Sequence, residues 1–167
     1  VGAPSALGFQ PISVPDLRKS WLDHHELVRR SSLATICRYR TATQHLIDFV
    51  DSVRPLKRVS DFRPQHASEF VRFLRQRKVA PNGHRKARQR PLRDAGIKFI
   101  LETSCSLFNY ALRQRHLPPY ADNPFRTIEV CRIPVEDAKL VTPFSAEQEV
   151  ELLRACDDWQ FPIFLTL

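Results

Sequence analysis

The sequence predicts an all-α fold, and three observations carry that expectation. Apolar residues recur at steps of three and four in successive stretches. Thirteen Pro against four Gly suit helices joined by proline-punctuated connectors better than a turn-rich sheet. Ser, Asp or Pro stands where most of the periodic stretches begin, as helix starts require. With 43% hydrophobic residues the chain can build a core.

Residues 1–13 read as a loose lead-in. A first helix is expected from Val14 or Pro15 to about Arg30. Leu17, Trp21, Leu22 and Leu27 form its inner side, with His24 and His25 on the surface. Ser31 or Ser32 then caps a second helix reaching about Val53. Its stripe is Ile36, Tyr39, Thr43, Leu46/Ile47 and Val50, with Tyr39 packing in the core; Arg38, Thr41 and His45 lie off the stripe.

Pro55 breaks the pattern. Val59-Ser60-Asp61-Phe62 leads into a third helix over about 64–78, with Pro64 in its first turn and Ala67, Phe70/Val71 and Leu74 buried. Arg72, Arg75, Arg77 and Lys78 crowd its end, where the helix dipole favours cations and a solvated last turn accounts for them. Residues 79–93 form a proline-bounded loop holding the densest charge in the chain: Arg85, Lys86, Arg88, Arg90 and Arg93. Like charges this close repel unless a polyanion neutralises them, and the loop feeds a helix start, so phosphate contact is the favoured reading over a solvated loop.

The longest helix follows, of about six turns. Ile97, Ile100/Leu101, Ser104, Leu107/Phe108 and Ala111/Leu112 make one face, and Lys98, Glu102, Asn109 and Arg113 the wet one. Asp94 is the expected N-cap and Pro118-Pro119 the stop. Residues 118–141 read as irregular connector. Ser145-Ala146-Glu147-Gln148 has the form of a capping box opening a short helix to Cys156, and Trp159 to Leu167 begins another apolar element.

Charge divides the chain. Residues 1–135 hold 24 Lys and Arg against 11 Asp and Glu, a net +13; residues 136–167 hold 2 against 7, a net −5, which together give the chain's +8. The basic part suits a polyanion. No run of 18 apolar residues spans a membrane, and residues 1–12 lack a signal pattern. Three of the four cysteines, Cys37, Cys105 and Cys156, sit in helical patterns and read as buried thiols of a reducing cytoplasm. The histidines have no metal-ligand spacing. There is no Gly-x-Ser-x-Gly and no Gly-rich phosphate loop, so neither metal nor complete active site is expected. The lack of any Met and the apolar last residues lead us to expect a piece of a longer protein.

What remains is a basic helical body suited to nucleic acid. Three motifs then fall in one order. Ser32-Leu33-Ala34-Thr35-Ile36-Cys37-Arg38-Tyr39 resembles the S-x-x-T-x-x-x-Y entrance to the second helix of tyrosine recombinases (phage integrases). Leu107-Phe108-Asn109-Tyr110-Ala111 followed by Asp122-Asn123-Pro124-Phe125 resembles the family's L-F-x-x-A…N-P segment. Phe144 to Ala155 is similar to the L-T-x-E-E…L-L-x-A helix that opens its catalytic domain. Gly96-Ile97-Lys98 departs from the family's Thr-Ile-Asn, and Gln148 from the second Glu of E-E.

The resemblance implies a four- to five-helix core-binding (SAM-like) domain over 14–126, a linker over 127–141, and one or two helices of a truncated catalytic domain over 142–167. It implies a clamp on double-stranded DNA whose second and fourth main helices face the major groove. Other recombinase protomers are the further partners. No cofactor, small-molecule substrate or membrane is implied, and the setting is cytoplasmic and nucleoid-associated. The family's Arg, Lys, His-x-x-Arg and Tyr set is unmatched here, so this chain is expected to bind DNA without cutting it. The expected DNA-binding residues are Thr35, Arg38 and Thr41 on the second helix, with Arg85, Lys86, Arg88, Arg90, Arg93 and Lys98 at the loop and helix entrance. For Thr35 a helix-start hydrogen bond stands equally open. A helical protein–protein adaptor and a helix-turn-helix regulator are the rival readings.

Overall fold

The computed structural model describes residues 8–80, 88–135 and 143–157. It divides into two units, Val1–Asp137 and Ala138–Leu167. The first is an all-α bundle built from α1 (Val14–Asp23), α2 (Leu33–Ser52), α3 (Pro64–Gln76) and α4 (Asp94–Arg113). α2 packs most extensively on α4, while α1 and α3 each touch both. A two-stranded antiparallel pairing, β1 (Lys78–Val79) with β2 (Arg90–Pro91), ties the start of the 79–93 loop to its end. In the second unit, α5 (Ala146–Ala155) opens on the expected capping box: Ser145 Oγ accepts from the Gln148 N–H, and Gln148 Oε1 from the Ser145 N–H.

The stripes meet as the periodicity requires. Leu17 and Trp21 of α1, Leu46, Phe49 and Val50 of α2, Phe70 and Leu74 of α3, and Ile97, Leu101, Leu107 and Phe108 of α4 share one core. Its centre is a nest of phenylalanines in which Phe62, Phe108 and Phe125 lie 4.9–5.5 Å apart, centroid to centroid. Tyr39 is half-buried and packs on Trp21 as expected. At the start of α2, Ser32 Oγ accepts from the Thr35 N–H at 3.3 Å. Ser32→Ala is therefore expected to cost about 1 kcal/mol, read as a lower urea midpoint with unchanged slope.

Several expectations are corrected. His25 is not a surface residue: it is 6% exposed, with its ring 4.5 Å from Trp21 and 5.0 Å from Tyr39. His24 is half-buried against Tyr110. His25 continues the inner stripe of Val14, Leu17 and Trp21 at a step of four, so the ordinary helical period carries it inward. Leu27, expected inside, falls off that stripe and is 75% exposed, in a last turn that widens to a π turn over His24–Val28.

Arg93, not Asp94, is the N-cap of α4; Asp94 begins the helix and its carboxylate faces Arg75 at 3.4 Å. α4 stops at Arg113, short of Pro118. Arg115 turns left-handed (φ 56°), and the N–H groups of Arg115 and His116 close on the carbonyls of Leu112 and Ala111. Cys37 is exposed, and Cys105 and Cys156 are half-buried rather than buried.

The stretch after α4 is more than connector. Leu117, Asn123 and Phe125 are buried, and Ile128, Val130 and Ile133 pack on the core. Asn123 fixes it: its Nδ2 donates to Cys105 O and to Asn109 Oδ1, both at 2.8 Å, and its Oδ1 accepts from the Phe125 N–H at 2.9 Å. The apolar element expected over 159–167 lies outside the described residues, where among those described no helix is long and apolar enough to cross a membrane.

Candidate nucleic-acid interface

Where α2 and the entrance of α4 come together, an open pocket of about 370 Å³ forms. α2 lends Arg38, Thr41 and His45; Leu92, Gly96 and Phe99 close it from the α4 side. The sequence order explains the meeting. Residues 38, 41 and 45 are one face of α2 at steps of three and four; Gly96, Phe99 and Ile100 follow the same steps in the first turns of α4, and Leu92 stands just before its cap.

Arg38 is exposed, yet it is not loose. Its guanidinium carbon sits 4.5 Å from the centroid of the Phe99 ring, a cation–π contact. Phe99 in turn lies nearly parallel to Tyr39, at 14° and 6.3 Å. Thr41 is exposed, and its hydroxyl donates to Cys37 O at 3.0 Å. The Thr35 hydroxyl is bonded to Ser32 Oγ at 2.9 Å, so it serves the helix start that the sequence left open; it stands six residues, about 9 Å of helix, before Thr41.

Arg93 is exposed at the cap of α4, Lys98 is half-buried in its second turn, and Arg88 and Arg90 are exposed on the strand side. Arg85 and Lys86 lie outside the described residues. The structure thus brings Arg38 and Thr41 to the same pocket as the residues flanking Arg93 and Lys98, while Thr35 is not among the residues that line it.

Three other arginines are held by carboxylates. Arg54 is bidentate on Glu69, Arg75 faces Asp94, and Arg77 pairs with Asp48 while lying 5.3 Å from the Phe73 ring centroid. Arg75 and Arg77 were expected in a solvated last turn; carboxylates distant in sequence claim them instead. Among the described residues, no carboxylate is within ion-pairing distance of Arg38, Arg88, Arg90 or Arg93.

His45 lines the pocket with a buried Nδ1 that has no hydrogen-bond partner among the described residues. Burial, and then the Arg77 charge, lower its pKa, so the neutral ring is favoured. Further along α4, a wider groove exposes part of Cys105, whose thiol pKa burial raises.

Sequence reasoning did not place Leu92 or Phe99 at the site, and it noted Gly96 only as a departure from the family's Thr. Phe99 carried a usable signal: it is a large aromatic on the face of α4 opposite its stripe, where a wet helix seldom places one.

No family model matches this chain, and no curated protein matches it in sequence. Among solved structures it is similar to the N-terminal domain of a phage integrase/site-specific recombinase from Haloarcula marismortui, with a TM-score of 0.55 and 17% identity. The likeness covers 74% of this chain and 98% of that one. At that identity it is a likeness of fold, a helical bundle shared by the two.

Proposed function

We propose that this chain grips duplex DNA as the core-binding part of a site-specific recombinase of the integrase type. The observation that carries the reading is the basic entrance to α4. Arg88, Arg90 and Arg93 lie exposed in the segment that leads into this helix, Arg38 lines the pocket between α2 and α4, and none of the four has a carboxylate partner among the described residues. Cations left without carboxylates where a helix begins suit a polyanion. The helical fold shared with an integrase N-terminal domain supports the same reading.

In this reading the arginines position the backbone and only a minority of side chains read bases. Because Ile128, Val130 and Ile133 pack on the bundle, the link in this reading is the chain after Ile133 and is shorter than the expected 127–141; it leads to a catalytic domain that begins within 142–167, to which strand cleavage and rejoining belong. The other partners are further recombinase protomers on the same DNA, and the setting is nucleoid-associated. No cofactor is called on.

The test is charge reversal at the strand side. Arg88→Glu with Arg90→Glu is expected to weaken binding to every duplex alike, roughly 10- to 100-fold, and to make the salt dependence shallower by about two ions. Fluorescence anisotropy on two unrelated duplexes measures both. Unchanged affinity would remove this strand from the interface.

A further inference from the structure

We infer that the pocket between α2 and α4 receives the 5-methyl group of a thymine in the major groove, beside an Arg38 held to meet the adjoining guanine. The inference rests on the DNA-gripping reading and adds to it the place where sequence is read. Phosphate contact does not explain this pocket, because its walls are mostly apolar: Ala42, Leu92, Phe99 and Ile100 line it. Anions do not seek such walls. Its rim, however, is cationic, with Arg38 on it and Arg93 next to Leu92 in the chain. An apolar hollow inside a positive rim fits a ligand that is anionic outside and carries one small apolar group inside.

Duplex DNA has one such group on a base edge. Thymine alone presents a methyl in the major groove, and Ala, Phe and the Thr methyl are the side chains that meet it.

Gly96 keeps the hollow open. A Cβ there would come no nearer to any atom than 4.0 Å, from Leu92 Cδ2, so the room exists and this residue leaves it unfilled. Thr41 donates its hydroxyl proton to Cys37 O, and so lends the wall a methyl in place of a donor. Arg38 lies against the face of Phe99, which restrains the guanidinium and leaves its N–H edge for a base. Guanine O6 and N7 are the acceptors that fit that edge in pairs.

The experiment starts from a random-sequence duplex pool, selected for binding to the full 167-residue chain at moderate salt. The enriched site is expected to contain a thymine next to a guanine. Replacing that thymine by deoxyuridine, which removes only the methyl, should weaken binding about four- to tenfold, while the same change elsewhere has no effect. Gly96→Leu, which fills the hollow, should abolish the thymine–uracil difference in whatever duplex affinity it retains; Gly96→Ala should reduce that difference. Circular dichroism confirms the folding of both variants.

Binding with no enriched sequence, or with deoxyuridine equal to thymine at every position, overturns this inference and leaves the DNA grip standing. A Gly96→Leu protein that is folded and still discriminates fully also overturns it. Absence of duplex binding at any salt removes the grip itself.

Discussion

Phe125→Ala is expected to lower the unfolding free energy by about 3–5 kcal/mol, a large part of what a domain of this size possesses. Phe125 is 1% exposed and lies 5.5 Å from Phe62, 5.3 Å from Phe108 and 6.2 Å from Phe70, so truncation leaves a void among three other rings. The surroundings cannot easily close it. Asn123, hydrogen-bonded to both α4 and the Phe125 N–H, pins the backbone from which the ring projects. Urea unfolding followed by far-UV circular dichroism measures the loss. Phe144→Ala is the control: that ring is 64% exposed, and its removal should change stability by less than about 0.5 kcal/mol. A Phe125→Ala loss below about 1 kcal/mol would mean that the segment after α4 is not part of the bundle's core.

Binding to duplex DNA is expected to fall steeply with salt. If about five phosphates are neutralised, the slope of log affinity against log salt lies near −4 to −5. Between 50 and 200 mM salt, that is a loss of roughly 250- to 1,000-fold. The number five is a demand on the exposed Arg88, Arg90 and Arg93 at the entrance of α4, together with two further cations of the basic body. A titration with no salt dependence would sink the nucleic-acid reading. An adaptor that uses its basic face on an acidic protein would show no duplex affinity at moderate salt in the first place.

What the sequence disclosed was local. Ser32, Pro64 and the Ser145–Gln148 box begin helices through hydrogen bonds or dihedral limits spanning three residues, and the apolar stripes of α2, α3 and α4 need only a period of 3.6. What it concealed was either a fault in that period or a contact across it. The π turn at His24–Val28 widens the end of the first helix, and no local signal marked it. Arg77 finds Asp48 across 29 positions, and Lys78-Val79 pairs with Arg90-Pro91 around the loop. For the candidate site, Arg38 and Thr41 were legible because they stand off a clear stripe. The apolar half of the pocket was not, because Leu92, Gly96 and Phe99 take on meaning only once α2 lies over them.

The rings beneath Arg38 have a consequence for how this protein tolerates change. Trp21 lies 4.9 Å from Tyr39, Tyr39 stacks on Phe99, and Phe99 carries the guanidinium, so a column of aromatic planes runs from the buried interior to the outermost charge. A substitution deep in α1 therefore tilts a fingertip rather than merely softening a palm. On the proposed DNA-gripping reading, variants of Trp21 that still fold are expected to lose discrimination between DNA sequences sooner than affinity for DNA.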